Sequence, residues 1–233
     1  DQIERNHTED GFNMESGELI ADGGETLQST LNRGRAFAVA GYIHHALHGW
    51  GTTIKPGLRI EHVRSELLDR STASTVDNNN TTLMPGIGLH YKLFPGLGVL
   101  GGVYRGFSPV APGQADNVEP EISINYEAGI RYVIDATKTR LEAIGFFNDY
   151  SNLVGQCTFS AGCDQQNLDQ QFNAGNAHIV GLETVLSHRF ALGRGLHFPM
   201  RATYTFTHAT FQSSFQSENP QYGDVEKGDF LPY

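Results

Sequence analysis

Apolar and polar residues alternate with a period of two over long segments of the chain, which is typical of β-strands with two different faces. In residues 121–134, Ile124 and Tyr126 fall on one face, and Glu127 and Arg131 fall on the other. The clearest alternation occurs in residues 53–65, 121–134, 178–190 and 196–211. Weaker alternation occurs in residues 35–47, 82–93, 98–107 and 139–151. The pattern predicts about eight strands and no helix.

The connections between the predicted strands come in two sizes that alternate along the chain. Short connections rich in glycine, proline and aspartate, which favour tight turns, occupy residues 49–52, 95–98, 135–138 and 192–195. Long polar connections occupy about residues 67–81, 108–120, 152–177 and 212–229. In an antiparallel up-and-down sheet this places every long loop at the same end. Residues 1–34 are acidic and polar, and we interpret them as a further loop segment at that end.

Two kinds of β-barrel fit this pattern. In a soluble eight-stranded barrel, the apolar face would line a pocket for a small apolar ligand. In an outer-membrane barrel, the apolar face contacts lipid and the polar face lines the lumen. The predicted strands are about 11–15 residues long, whereas soluble strands usually have about 5–6 residues and a tilted membrane crossing needs about 9–11. Strand length and loop asymmetry therefore favour a transmembrane barrel.

Charged residues lie in the middle of the predicted strands, on the polar face. They are Arg59, Glu61, Glu127, Arg131, Arg140, Glu142, Glu183 and Arg201. Such residues are ordinary on the outside of a soluble protein. In a wide membrane barrel, the same residues can form ion pairs along the wall of a water-filled lumen.

Composition excludes several other classes of protein. The net charge is -10, which argues against a nucleic-acid partner because phosphate binding needs clustered Lys and Arg. No segment approaches the roughly 20 apolar residues of a membrane helix. The two cysteines, Cys157 and Cys163, lie close together in a polar stretch. A disulfide in an oxidising compartment explains them better than two free thiols.

The ten histidines suggest a metal site only at first sight. His44 and His45 are adjacent, so in a regular strand their side chains point to opposite faces. His48 shares a face with His44 but lies two strand repeats away. We therefore expect no metal site, and the sequence contains no catalytic constellation either.

A series of segments resembles TonB-dependent outer-membrane receptors. The segment "YRGFSPVAPG" (104–113), followed by "EPEISINYEAGIRY" (119–132), resembles a signature region of that family. "TIKPGLRIEH" (53–62), "FFNDYSNL" (146–153) and "NAGNAHIVGLET" (173–184) are similar to other strands of the family. Within the family, the resemblance is to the ferric dicitrate and related iron-siderophore receptors.

The resemblance implies an all-β, antiparallel up-and-down transmembrane β-barrel of about 22 strands in a bacterial outer membrane, plugged by a separate domain. Residues 35–233 would supply about eight of those strands, without the plug domain and the last strands. The implied function is uptake of ferric citrate or another ferric siderophore, powered by the TonB–ExbB–ExbD complex acting through the plug. Outer-membrane lipid is the other implied partner. Because iron arrives as a chelated substrate, we expect no cofactor and no enzymatic activity.

Candidate ligand contacts follow from this implied substrate. Arginine binds carboxylates with two parallel hydrogen bonds, so arginines near the mouth are candidates for an anionic chelate. The candidates are Arg64, Arg70 and Arg105, together with Gln165, Gln166 and Gln171 of a glutamine-rich loop. The competing interpretations are strand-end ion pairs for the arginines and a solvated loop for the glutamines.

Overall fold

The computed structural model describes residues 2–9, 12–24, 27–70, 72–114, 118–157, 171–217 and 222–232. Within these residues the chain is built from β-strands and their connections. The strands are β1 (Gln2–Glu9), β2 (Phe12–Glu15), β3 (Glu18–Ala21), β4 (Leu27–His44), β5 (Leu47–Gly49), β6 (Thr52–Asp69), β7 (Ser74–Phe94), β8 (Leu97–Ser108), β9 (Glu121–Ile134), β10 (Thr139–Ser151), β11 (Val154–Gln156), β12 (Gln171–Asn173), β13 (Ala177–Gly193), β14 (Leu196–Phe211), β15 (Phe215–Gln216) and β16 (Asp224–Val225).

One large antiparallel sheet organises the molecule. It contains ten strands in the order β1-β4-β6-β7-β8-β9-β10-β13-β14, with the short β5 pairing beside β6. Neighbouring strands follow one another in sequence, as the alternation of connections predicted. Tight turns join β7 to β8, β9 to β10 and β13 to β14 at one end, which we call the short-turn end. The long connections meet at the opposite, long-loop end.

Two segments predicted as loops prove to be strands. Residues 2–9 pair with β4, and residues 12–21 form a hairpin, so the segment interpreted as a loop contains paired strands. Residues 67–81 are also largely strand, because β6 and β7 stay paired up to Asp69 and Ser74. Both segments are mostly polar, and their few apolar residues, such as Ile3 and Val76, form no long run of alternation. Their backbones are nevertheless paired.

The sheet register divides the long strands into two faces. One face carries many large apolar side chains, and we call it the apolar face. The side chains that follow all lie on it and are each at least 36% exposed. They include Phe37, Val39, Ile60, Leu83, Ile87, Leu89, Tyr126, Ile130, Phe147, Val180, Leu182, Phe198, Tyr204 and Phe206. A soluble domain would bury such a surface. The exposed apolar face is the face expected to contact lipid in a membrane barrel.

Among the described residues, burial on the opposite, polar face is concentrated near the long-loop end. Buried residues on this face near that end include Ser65, Ser123, Asn125, Ala177 and Ala209. A small apolar cluster of Ala174, Phe211 and Val225 packs there with partly buried side chains of the connecting segments. The long connections therefore fold over the polar face, as expected if this face is the inside of a barrel.

Among the described residues, no helix is long and apolar enough to cross a membrane.

Candidate functional site

Ion pairs neutralise charges along the middle of the polar face. Arg131 and Glu142 stand directly opposite each other on β9 and β10 and form a close ion pair. Arg59 and Glu61, two positions apart on β6, pair at 2.7 Å. These two pairs confirm that charged residues of the predicted set interact along this face. Because their side chains remain partly exposed, they keep the wall polar and contribute little to stability.

A hydrogen-bonded group of polar side chains lies nearer the long-loop end. The hydroxyl of Tyr104 donates to Glu127 at 3.0 Å. The amide of Asn125 donates to the hydroxyl of Ser123 at 3.0 Å and to the carbonyl of Tyr104 at 3.3 Å. Asn125 and Ser123 are buried, so these bonds satisfy polar groups that would otherwise be costly to desolvate.

A polar hollow opens between β6, β7 and the segment that follows β8. Its volume is about 270 Å³, and Ser65, Asn78, Asn80 and Glu119 are among its lining residues. In the part of the chain that the structure describes, the buried Oδ1 of Asn78 has no hydrogen-bond partner. A buried acceptor without a donor favours binding of a group that supplies one. We call this hollow the mouth hollow.

Gln171 ties two long connections together at the mouth. Its side-chain oxygen accepts a hydrogen bond from the backbone N–H of Ala111 at 2.9 Å. Its own backbone N–H donates to the side-chain oxygen of Gln114 at 2.6 Å. The structure thus places Gln171 in a loop-to-loop contact that we call the glutamine clasp. Its predicted ligand contact stays a prediction.

A second set of contacts holds the same two connections. Asn173 Oδ1 accepts from the backbone N–H of Glu119 at 2.9 Å, and Asn173 Nδ2 donates to the carbonyl of Glu119 at 2.9 Å. Asn152 Nδ2 donates to the carboxylate of Glu119 at 2.7 Å. Glu119 lines the mouth hollow. The loop contacts therefore position one wall of the hollow.

We expect Gln171→Ala to loosen the connection that carries Ala111. One hydrogen bond of about 1 kcal/mol is lost, so amide exchange in residues 109–114 should become about fivefold faster. Hydrogen-exchange mass spectrometry of the full-length protein measures this. Gln216→Ala, at an exposed residue of β15, is the matched control. Unchanged exchange in Gln171→Ala would show that the clasp does not hold this loop.

An aromatic cluster supports the loops from the side of β14. The rings of Phe172, Phe211, Phe215 and Tyr222 pack with centroids 5.4–6.3 Å apart. Burial raises the pKa of Tyr222, and the carboxylate of Glu121 adds to the rise. Tyr222 is therefore a neutral phenol at neutral pH, which suits a position beside apolar rings.

The structure places Arg64 on the apolar face and gives both Arg64 and Arg70 carboxylate partners. Arg64 pairs across the sheet with Phe37 and Asn79, and so lies on the apolar face, where it meets Asp77 at 3.5 Å. Arg70 forms an ion pair with Glu4 at 3.0 Å. For both, the competing interpretation of a strand-end ion pair describes the observed contact. Arg64 lies five positions after Arg59 on β6, so strict alternation alone places the two side chains on opposite faces.

Arg105 is also on the apolar face. It pairs across the sheet with Ile124, and one guanidinium N–H donates to the carbonyl of Leu83 at 3.3 Å. Arg105 therefore does not lie on the face that would line the lumen, and its predicted ligand contact stays a prediction. Adjacent strand residues point to opposite faces, so Tyr104, and not Arg105, lies on the polar face. The sequence alone could have shown this.

Three further predicted residues lie outside the described residues, namely Cys163, Gln165 and Gln166. Cys157 is buried, with 5% of its surface exposed. Its disulfide with Cys163 stays a prediction. No group of three or more His, Cys, Asp or Glu among the residues that the structure describes is arranged to hold a metal ion.

An exposed apolar face, a polar face with ion pairs, and long loops fastened at one end define a segment of an outer-membrane β-barrel wall. The chain belongs to the TonB dependent receptor-like β-barrel family, whose family model matches residues 17–233. Members of this family are outer-membrane receptors and transporters. No curated protein matches the chain.

Several solved structures share the fold. The ferric citrate transporter FecA, in its unliganded form, is 22% identical with a TM-score of 0.63, covering 90% of this chain and 31% of FecA. The siderophore receptor PirA from Pseudomonas aeruginosa is 18% identical with a TM-score of 0.52, covering 79% of this chain and 44% of PirA. The copper transporter OprC is 12% identical with a TM-score of 0.59, covering 89% and 33%. The chain thus spans less than half the length of each structure.

Proposed function

We propose that the chain forms part of the wall and mouth of an outer-membrane receptor for TonB-dependent uptake of a ferric chelate. This proposal rests on one observation. A single sheet has an exposed apolar face and a polar face that loops cover at one end. Family membership supports the same function. TonB, with ExbB and ExbD, would act through the plug domain that the family resemblance implies.

The residues described here would bind and guide the substrate without changing its bonds. The mouth hollow offers the free acceptor of Asn78 and the carboxylate of Glu119 to hydroxyl or amide donors of a chelate. Deeper in the barrel, the Arg59–Glu61 and Arg131–Glu142 pairs present balanced charge to water.

Iron is the preferred metal of the proposed substrate because several structures with this fold are named for iron uptake. Besides FecA and PirA, the receptor FyuA from Yersinia pestis is named for ferric yersiniabactin and is 18% identical with a TM-score of 0.52. Ferric citrate is the first chelate to test, followed by other siderophores. Copper is the alternative cargo, since OprC shares the fold to a similar degree.

Uptake of radiolabelled iron tests this proposal. Cells with the full-length gene, the deleted gene, or the full-length gene without TonB receive iron as citrate or as other siderophore chelates. We expect uptake only when both the gene and TonB are present. TonB-dependent uptake of copper with no uptake of any iron chelate would overturn the iron assignment. Uptake that does not depend on TonB would overturn the receptor class.

Two positions on β7 give a test of the mouth hollow within the same assay. Asn78 lies on the polar face and lines the hollow, whereas Thr75 lies on the opposite face, paired with Leu68, and is not among the lining residues. Asn78→Leu removes a buried acceptor that a chelate would use, so the half-saturating chelate concentration should rise about tenfold. Thr75→Leu should leave it unchanged. Equal effects of the two substitutions would remove the hollow from the proposed binding site.

The alternative of a soluble barrel with a small apolar ligand loses its main support. It requires the apolar face to line an interior, yet the large side chains of that face are exposed, Leu182 by 39% and Phe206 by 52%. The loops cover the other face.

A further inference from the structure

The apolar face has a charged margin at one end only. Five described arginines lie on this face or continue it beyond the strand end, and all five are at the long-loop end: Arg33, Arg35, Arg64, Arg70 and Arg105. At the short-turn end the same face shows apolar and aromatic side chains, among them Leu97, Tyr132, Phe190 and Phe198. Lys138 and Arg194 at that end lie in the turns, not on the face.

Most of these arginines already have carboxylate partners. Arg33 and Arg70 both contact Glu4, at 3.2 and 3.0 Å, and Arg64 contacts Asp77 at 3.5 Å. Arg35 and Arg105 differ from them. Among the described residues, neither has a carboxylate within ion-pair distance.

The two remaining arginines have neutral contacts that leave guanidinium donors available. Arg35 donates from Nε to the side-chain oxygen of Gln2 at 3.3 Å, and Arg105 donates from Nη1 to the carbonyl of Leu83. On the apolar face, Arg35 is the neighbour of Phe37 on β4, and Arg105 lies between Val103 and Phe107 on β8. Such an arginine can lay its methylene groups on the apolar surface while its charge reaches the interface.

We propose that Arg35 and Arg105 bind phosphate groups of outer-leaflet lipids, whose acyl chains lie along the apolar band below. Guanidinium is well matched to phosphate, with two parallel hydrogen bonds. Charge complementarity and continuity with the lipid-contacting face favour a lipid phosphate over a soluble one. The inference rests on the membrane location in the proposed function, but not on the transported substrate.

Nearby carboxylates limit how many phosphates the margin can hold. Glu66 stands opposite Arg35 in the register, and Asp149 contacts His178 at 3.4 Å on the same face. The arginines on this face outnumber its described carboxylates by one, five against Glu4, Glu66, Asp77 and Asp149. The proposal is therefore limited to two local phosphate sites and does not extend to a broad surface that binds anionic lipids.

Two lipids with identical acyl chains test the proposal. The full-length protein in detergent is titrated with phosphatidic acid or diacylglycerol, and bound lipid is counted by native mass spectrometry. We expect phosphatidic acid to be preferred. Arg35→Gln with Arg105→Gln should weaken its binding about fivefold for each arginine. Lysine at both positions should retain most of the binding, and Arg201→Gln on the polar face is the matched control.

Three outcomes would overturn the proposal. They are equal binding of the two lipids, unchanged phosphatidic acid binding in the double glutamine variant, and displacement of the lipid by millimolar inorganic phosphate. The last would indicate a site for free phosphate. Iron uptake is not part of this readout, so its failure leaves the lipid result interpretable.

Discussion

Leu182→Arg is expected to destabilise the folded full-length protein by about 2–4 kcal/mol in lipid vesicles. Leu182 lies on the apolar face, between Gly145 of β10 and Phe206 of β14. An arginine there would have to leave its charge in hydrocarbon or reach a distant interface. Urea unfolding in vesicles, followed by tryptophan fluorescence, measures the change in free energy of unfolding.

Thr205→Arg is the control for this substitution. Thr205 lies on the polar face, opposite Glu183, so the new guanidinium would meet water and a carboxylate. We expect a change within about 0.5 kcal/mol. If Thr205→Arg destabilises as strongly as Leu182→Arg, the assignment of the two faces is contradicted.

Gly129→Ala is expected to destabilise the protein by about 1–3 kcal/mol through steric overlap alone. A Cβ atom at Gly129 would overlap the carbonyl oxygen of Ala143 and lie 2.9 Å from the Cα of Ile144. Both are atoms of the β10 backbone, which cannot move without disturbing the pairing of β9 and β10. The same unfolding measurement applies.

Gly145→Ala provides the matched control on the neighbouring strand. The nearest atoms to a Cβ there are carbonyl oxygens at 3.8 and 3.9 Å, an ordinary contact distance. We expect a change near zero, or stabilisation of up to about 1 kcal/mol, because glycine weakens a strand. Equal losses from the two substitutions would mean that the close approach of β9 and β10 is not present in the protein.

Strand position could be predicted where the chain has two different faces. The boundaries predicted for residues 121–134 and 139–151 agree with β9 and β10. The prediction was wrong at the long-loop ends of β4, β6 and β7, where residues such as Asn78 and Asn79 are polar on both faces. Hydrogen bonding of the backbone extends these strands, and side-chain periodicity does not report it.

The candidate site was less predictable for two different physical reasons. The glutamine clasp joins Gln171 to Gln114, 57 positions earlier in the chain, and no local pattern encodes such a contact. The faces of Arg64 and Arg105, in contrast, follow from strict alternation along their strands. Their position near a loop suggested a lumen contact, but the alternation of side chains along the strand is what determines the face.

Lipid contact by the apolar face is the central claim, and quenching of an attached fluorophore tests it most directly. The label is placed on Leu182→Cys or Thr205→Cys in the full-length protein, in vesicles of acyl-brominated lipid, with aqueous iodide as the second quencher. We predict that brominated lipid quenches the label at position 182 and that iodide quenches the label at position 205. Quenching at position 182 by iodide and not by brominated lipid would show that the apolar face does not contact lipid.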